Sequence, residues 1–149
     1  MGDQEKLRTM RRVVETRDLR KRSAEAREAR EAAALADLRA RGENDAERLA
    51  QTQARWEACI AQPVLDPAFA GYWTEATLRE ETVLRRTETE ILLARRDHEA
   101  ADAALRLASA HREAAGQLLG VVRRSTARRQ EEALLAETSD RTAQTWRRP

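Results

Sequence analysis

Gln62-Pro63-Val64-Leu65-Asp66-Pro67-Ala68-Phe69-Ala70-Gly71 decides the fold of this chain, because the helix breakers of its central region are concentrated there. The sequence has 149 residues and three prolines: Pro63 and Pro67 lie in this stretch, and Pro149 is the last residue. Proline lacks a backbone donor and crowds the preceding turn, so a straight helix does not run through both positions. On either side the sequence is dominated by Ala, Glu, Arg, Leu and Gln, which lose little side-chain freedom in a helix. We therefore place one helix at about 3–61, a connection at about 62–72 and a second helix at about 73–144. Asp66 before Pro67, followed by Ala68, offers a cap for a short turn inside the connection. Two long helices joined by roughly ten residues fold back on each other. At 1.5 Å per residue the shorter arm would be on the order of 85 Å long. The expected fold class is all-α: residues 1–149 as a single domain, a long antiparallel two-helix coiled-coil hairpin.

Composition points the same way. Charged residues make up 36% of the chain, and the hydrophobic 41% is swollen by alanine, with one Phe, one Tyr and three Trp, so a thick core is not expected. Lys and Arg number 28 against 26 Asp and Glu, and a net charge of +2 is too small to make nucleic acid the expected partner. The single Cys59 excludes an internal disulfide and a cysteine metal cluster, which fits a reducing cytosol. The opening residues Met1-Gly2-Asp3-Gln4-Glu5-Lys6 contain no apolar segment, which argues against a secretory signal peptide. The longest apolar runs, around 32–36 and 118–122, fall far short of the roughly twenty residues of a membrane span.

Heptad spacing supplies the two packing stripes. In the first helix Leu7, Val14, Leu35, Leu49 and Trp56 share one core position, and Met10, Ala24, Leu38 and Cys59 share the other. Arg17, Lys21, Glu28, Glu31 and Asp45 interrupt that seam, so its N-terminal half is expected to pair loosely. In the second helix Leu84, Ile91, Leu105, Leu119 and Ala133 are joined by Ala94, Ala101, Ala108, Ala115, Val122 and Ala136. Small residues allow close approach but bury little, at about 0.8 kcal/mol per methylene. Folding about the proline-rich middle brings Leu49 toward Leu84, Gly42 toward Ile91, Leu35 toward His98 and Val14 toward Leu119. In that register roughly Ala133 to Pro149 extends beyond the first helix.

Charge is unevenly distributed. Residues 1–30 carry ten basic and six acidic side chains, residues 103–149 nine and five, and residues 31–102 nine and fifteen. Both arms remote from the bend are thus net positive, a field that would orient binding to an acidic socket.

Nothing in the sequence assembles a catalytic, cofactor or metal site. His98-Glu99-Ala100-Ala101-Asp102 resembles a zinc-protease helix, but Asp102 replaces the second His and no third ligand is evident. There is no glycine-rich phosphate loop and no Gly-x-Ser-x-Gly, and no small-molecule substrate is implied. Gly116-Gln117-Leu118-Leu119-Gly120 matches Gly-x-x-x-Gly outside a membrane context, which reads as close packing or local looseness. Aromatic placement says more: Trp56, Phe69, Tyr72 and Trp73 cluster at the bend, and Trp146 lies at the far end. A two-helix tip cannot bury four rings, and exposed Trp and Tyr are common interface anchors.

In length and architecture, and in the stretch Arg128-Arg129-Gln130-Glu131-Glu132-Ala133-Leu134-Leu135-Ala136-Glu137 with Asp140-Arg141 and the basic end Arg147-Arg148-Pro149, the chain resembles the small central-stalk proteins of bacterial type III secretion and flagellar export, the YscO/FliJ-type family. Tyr72-Trp73 just after the bend also looks like that family's tip. The resemblance implies a non-enzymatic coupling stalk, cytoplasmic and peripheral to a membrane-embedded secretion apparatus. Its fold would be similar to the coiled coil of a rotary ATPase gamma subunit. The paired termini would enter the central hole of a hexameric ATPase, through Leu7, Met10, Arg11, Arg12, Val14, Arg128, Arg129, Leu134 and Leu135. Phe69, Tyr72 and Trp73 would face the cytosolic domain of the export-gate membrane protein, and export chaperones would be further partners. The alternatives are a self-associating coiled-coil adaptor or scaffold and, third, a basic helical nucleic-acid binder.

Overall fold

The structure is a computed structural model and describes residues 2–146; Arg147, Arg148 and Pro149, the basic end noted above, lie outside the described residues. It is all-α. Helix α1 spans Asp3–Ile60 and α2 spans Pro67–Trp146, and the two pack against each other.

Helix α1 stops for a local reason. Ala61 N–H still donates to the Glu57 carbonyl at 3.1 Å, and Gln62 N–H tightens the end by donating to the Cys59 carbonyl at 3.3 Å. Pro63 then disfavours helical geometry at the residue before it. The restart differs from the sequence reading, which placed a connection at about 62–72 and the second helix from about 73. Helix α2 begins at Pro67, so Phe69 and Tyr72 lie inside it. Asp66 caps the helix itself: its Oδ1 accepts the Ala68 N–H at 2.9 Å, and its carbonyl accepts the Ala70 N–H at 3.0 Å. Proline fits the first helical position, where its missing donor costs nothing.

Internal contacts divide the chain into two compact units: Glu25–Ala104, and Met1–Ala24 with Leu105–Pro149. The division falls where Lys21 and Glu28 occupy positions of the α1 seam that would otherwise be apolar.

In the Glu25–Ala104 unit the helices run antiparallel, with Gly42 beside Ile91, Asp45 beside Thr87 and Trp56 beside Thr74. Leu35, Gly42 and Asp45 of α1 are buried, as are Thr87 and Ala101 of α2. A Cβ placed on Gly42 would sit 3.0 Å from Ile91 Cδ1 and 3.7 Å from Thr87 Cγ2, so the missing side chain is the hole that Ile91 fills.

Next to this hole lies a polar cluster. Asp45, only 3% exposed, accepts a hydrogen bond on Oδ2 from Thr87 Oγ1 at 2.7 Å, and its Oδ1 is paired with Arg48. Arg48 Nε also lies 3.7 Å from the buried Glu80 Oε2, a long ion pair that supplies the contact a hydrogen bond does not. Arg41 pairs with Glu90 at 3.6 Å, and Glu28 Oε1 lies 3.8 Å from His98 Nε2. A carboxylate buried at a seam position discriminates between registers, because any slip would leave it without its donor. Thr87→Val keeps the shape but strands Asp45 Oδ2, and should cost about 1–3 kcal/mol in urea denaturation. Thr87→Ser should retain most of that stability; equal stabilities for the two variants would show that the hydroxyl contributes nothing.

In the other unit the helices are also antiparallel. Asp18 accepts from Arg112 Nε at 2.8 Å, Arg17 Nη1 lies 3.4 Å from His111 Nδ1, and Asp3 accepts from Arg129 Nη1 at 2.7 Å. The Asp18 hydrogen bond, followed by its charge, raises the Arg112 guanidinium above its ordinary value. Asp3 also sits in the first turn of α1, where a carboxylate complements the helix dipole. Ala115, Leu119 and Thr126 are buried, and Leu7, Met10, Val14 and Arg17 are half-buried on the facing helix. The charged interruptions of the α1 seam, expected to loosen it, are therefore met by charged or polar groups across the interface at Arg17 and Glu28. Residues 127–143 of α2 are exposed throughout.

Candidate protein-binding site

The bend carries a cluster of rings built on one turn of α2. Residues three or four apart on a helix share a face, so Phe69 and Trp73 meet edge to face, with centroids 6.4 Å apart and planes at 65°. Tyr72 lies against Trp73 at 5.0 Å and 79°. From α1 the Arg55 guanidinium sits 5.5 Å from the Trp73 ring centroid, within cation–π range. Trp73 is thus half-buried between its neighbours, whereas Phe69 is 58% and Tyr72 63% exposed. Trp56 belongs to a separate contact: its Nε1 donates to Thr74 Oγ1 at 3.1 Å.

Two residues missed in the sequence enlarge this surface. Val64 and Leu65 are exposed between the prolines, and Val64 lines a cleft of about 420 Å³ with Arg55, Cys59, Phe69 and Trp73. The available signal was their position: two apolar side chains confined to a short link between Pro63 and Pro67 have no helix face to bury them. The bend therefore presents contiguous apolar surface rimmed by Arg55 and Asp66, the composition of an interface core with a polar edge.

A second surface lies on α2 beyond the Asp3–Arg129 pair. Leu134 and Leu135 are 62% and 69% exposed, and Arg128 and Arg129 are exposed beside them. On α1 Arg11 and Arg12 are exposed too. Leu7, Met10 and Val14, named above as ATPase-facing, are half-buried at their seam positions.

The third surface is Gly116-x-x-x-Gly120. A Cβ at Gly116 would meet nothing within 4 Å, and one at Gly120 would meet only Arg124 Nη1 at 3.5 Å. Packing against α1 therefore does not require either glycine, although each lowers helix stability by about 1 kcal/mol relative to alanine. Val121 is exposed on the flank of this surface, whereas exposed Leu118 lies on the opposite side of the helix.

Among the described residues no three His, Cys, Asp or Glu side chains converge on a possible metal site. His98, which opens the protease-like pentapeptide, is occupied with Glu28. Among the same residues no helix is long and apolar enough to cross a membrane. Comparison of the chain with protein-family models, curated proteins and solved structures finds no match.

Proposed function

We propose that this chain is a non-enzymatic coupling stalk of a type III secretion export apparatus, cytoplasmic and peripheral to the membrane-embedded machinery. Its termini bind a hexameric ATPase, and its bend binds the cytosolic domain of an export-gate protein. The observation that carries this reading is that the hairpin leaves two differently built surfaces exposed: a ring cluster at Phe69 and Tyr72, and the segment Arg128–Leu135, in which Leu134 and Leu135 are exposed among charged side chains of both signs. Exposed rings around a half-buried Trp73 suit a shape-selective protein contact. Exposed leucines suit an apolar floor in the partner, and the net positive charge of both terminal arms would speed entry to an acidic socket. Export chaperones would be secondary partners of the same surfaces.

The test is reconstitution. Added to the cognate ATPase, the chain should raise hydrolysis and favour the hexamer, more strongly at low than at physiological salt. No change in either quantity under both conditions rejects the reading. Phe69→Ala combined with Tyr72→Ala should leave thermal stability nearly unchanged, since both rings are mostly exposed. It should weaken binding to the gate domain at least about 30-fold, as loss of interface anchors does. Gate binding that survives the double substitution would remove the bend from the interface.

A further inference from the structure

We propose that copies of this chain associate side by side and parallel, the arginine-rich edge of the Glu25–Ala104 unit of one copy lying against the carboxylate-rich edge of the next. The inference does not rest on the stalk reading. It starts from opposite charges two residues apart: Arg41-x-Glu43 and Arg55-x-Glu57 on α1, Arg79-x-Glu81 and Arg86-x-Glu88 on α2. Residues two apart are about 200° apart around a helix, so such a pair does not meet within its own helix. Its two charges go to opposite edges of the hairpin instead.

The seam fixes which edge each charge occupies. Residues immediately before seam positions share one side on both helices: Arg41 lies 3.6 Å from Glu90, and Arg48 and Arg86 line the same groove. Residues immediately after seam positions share the other side, where Gln53 and Glu57 line a groove with Leu78. On the first edge α1 supplies Arg27, Arg30, Arg41, Arg48 and Arg55 against Asp37, and α2 supplies Arg79 and Arg86 against Glu90 and Asp97. On the second edge α1 supplies Glu25, Glu43 and Glu57 against Arg39. There α2 adds Glu81, Glu88, Glu99 and Asp102 against Arg85 and Arg95. One edge thus carries seven arginines and three carboxylates, the other seven carboxylates and three arginines. Ion pairs of Arg41 and Arg86 with Glu90, and of Arg95 with Glu99, join charges of a single edge and leave this imbalance standing. Arg48 is also engaged by the seam carboxylates Asp45 and Glu80, and the first edge stays positive.

Charge complementarity selects a second copy as the occupant. A copy displaced sideways without turning sets each charge beside the residue two positions away in its neighbour, about 3 Å along the axis. Arg41 then meets Glu43, Arg55 meets Glu57, Arg79 meets Glu81 and Arg86 meets Glu88. The minority charges match too, Asp37 with Arg39 and Asp97 with Arg95. Leu92 follows the seam residue Ile91 and Leu93 precedes Ala94, so these exposed leucines lie on opposite edges and touch between neighbouring copies. Turning the second copy end for end would lay α2 against α1 and separate them. Because the two edges differ, each contact leaves one edge of either sign open, and association continues past the dimer.

Sedimentation velocity on the full chain is the test. Exposed ion pairs are individually weak, so the expected result is reversible growth beyond dimer at about 0.02 M salt and monomer at about 1 M. A variant with Arg27, Arg30, Arg79 and Arg86 all changed to Glu should associate at least about tenfold more weakly, as should one with Glu43, Glu57, Glu81 and Glu88 all changed to Arg. Mixing the two variants should restore association, since each then meets an edge of opposite sign. Helix content and melting of each variant alone confirm that it is folded. Spin labels at Val64→Cys in a Cys59→Ser background should lie within about 20 Å of each other in the associated parent, as neighbouring helices packed side by side require. A parent that stays monomeric at low salt overturns the proposal and leaves the arginine edge to another acidic partner. Growth indifferent to salt or to charge reversal, a mixture that stays monomeric, or labels several times farther apart overturns it as well.

Discussion

Gly42→Leu should destabilise the hairpin by about 2–3 kcal/mol in chemical denaturation, the largest stability loss we expect from any single surface-neutral substitution in α1. The expectation follows from the Cβ position: the first added carbon already lies 3.0 Å from Ile91 Cδ1, and the remaining three would enter the space held by Ile91 and Thr87. Accommodating them requires the helices to separate beside Asp45, which weakens the 2.7 Å hydrogen bond from Thr87. Leucine is the better helix former by about 1 kcal/mol, and that gain is already subtracted. Two controls separate packing from propensity. Gly42→Ala should be close to neutral, because a flexible Ile91 methyl can give way while helix propensity improves. Gly71→Ala, where a Cβ meets nothing within 4 Å, should stabilise by about 1 kcal/mol. If Gly42→Leu melts like the parent, the two helices do not approach closely at this point and the register is wrong.

Leu134→Asp combined with Leu135→Asp should eliminate stimulation of the ATPase, the largest functional effect expected from the proposed role. Both side chains are more than half exposed on a segment where α2 is covered by nothing from α1, so helix content and melting should change little. At an interface the same change places two carboxylates where an apolar floor and acidic rim are expected, adding repulsion to lost burial. Loss of two anchors of this kind weakens binding by at least about 30-fold. Hydrolysis and hexamer formation are read with the double variant in place of the parent chain. Undiminished stimulation by a folded double variant would show that the ATPase does not read this segment.

The seam was legible because it depends on spacing alone. Alternating steps of three and four from Leu7 through Cys59 select one face of α1, and nearly all the residues they select face α2, including the charged ones at Arg17, Lys21, Glu28 and Asp45. The opposition of Gly42 and Ile91 was legible by counting outward from the bend. The start of α2 was not. Asp66-Pro67 is equally a turn and a helix opening, and Gly71 together with the aromatic run lowered the helical signal at Phe69–Trp73 until tertiary placement resolved it. Of the candidate binding residues, Phe69, Tyr72, Leu134 and Leu135 are exposed as the proposed contacts require. Trp73, packed against Phe69 and Tyr72, is half-buried, as are Leu7, Met10 and Val14 at their seam positions. A single frame explains why: it assigns each residue one face of one helix pair, and cannot report which apolar residues off that face, such as Val64 or Val121, remain open.

The six-residue interval between Ile60 and Pro67 also sets the order in which the molecule assembles. Trp56 and Thr74 are only 18 positions apart along the chain, whereas Asp3 and Arg129 are separated by 126. Closing the first gap restricts few conformations; closing the second from an open chain restricts many more, unless the intervening contacts already exist. Zippering outward from the prolines therefore makes each later contact a short step from the one before it. During synthesis α1 must wait, its inner face wet, until enough of α2 has been made to cover it.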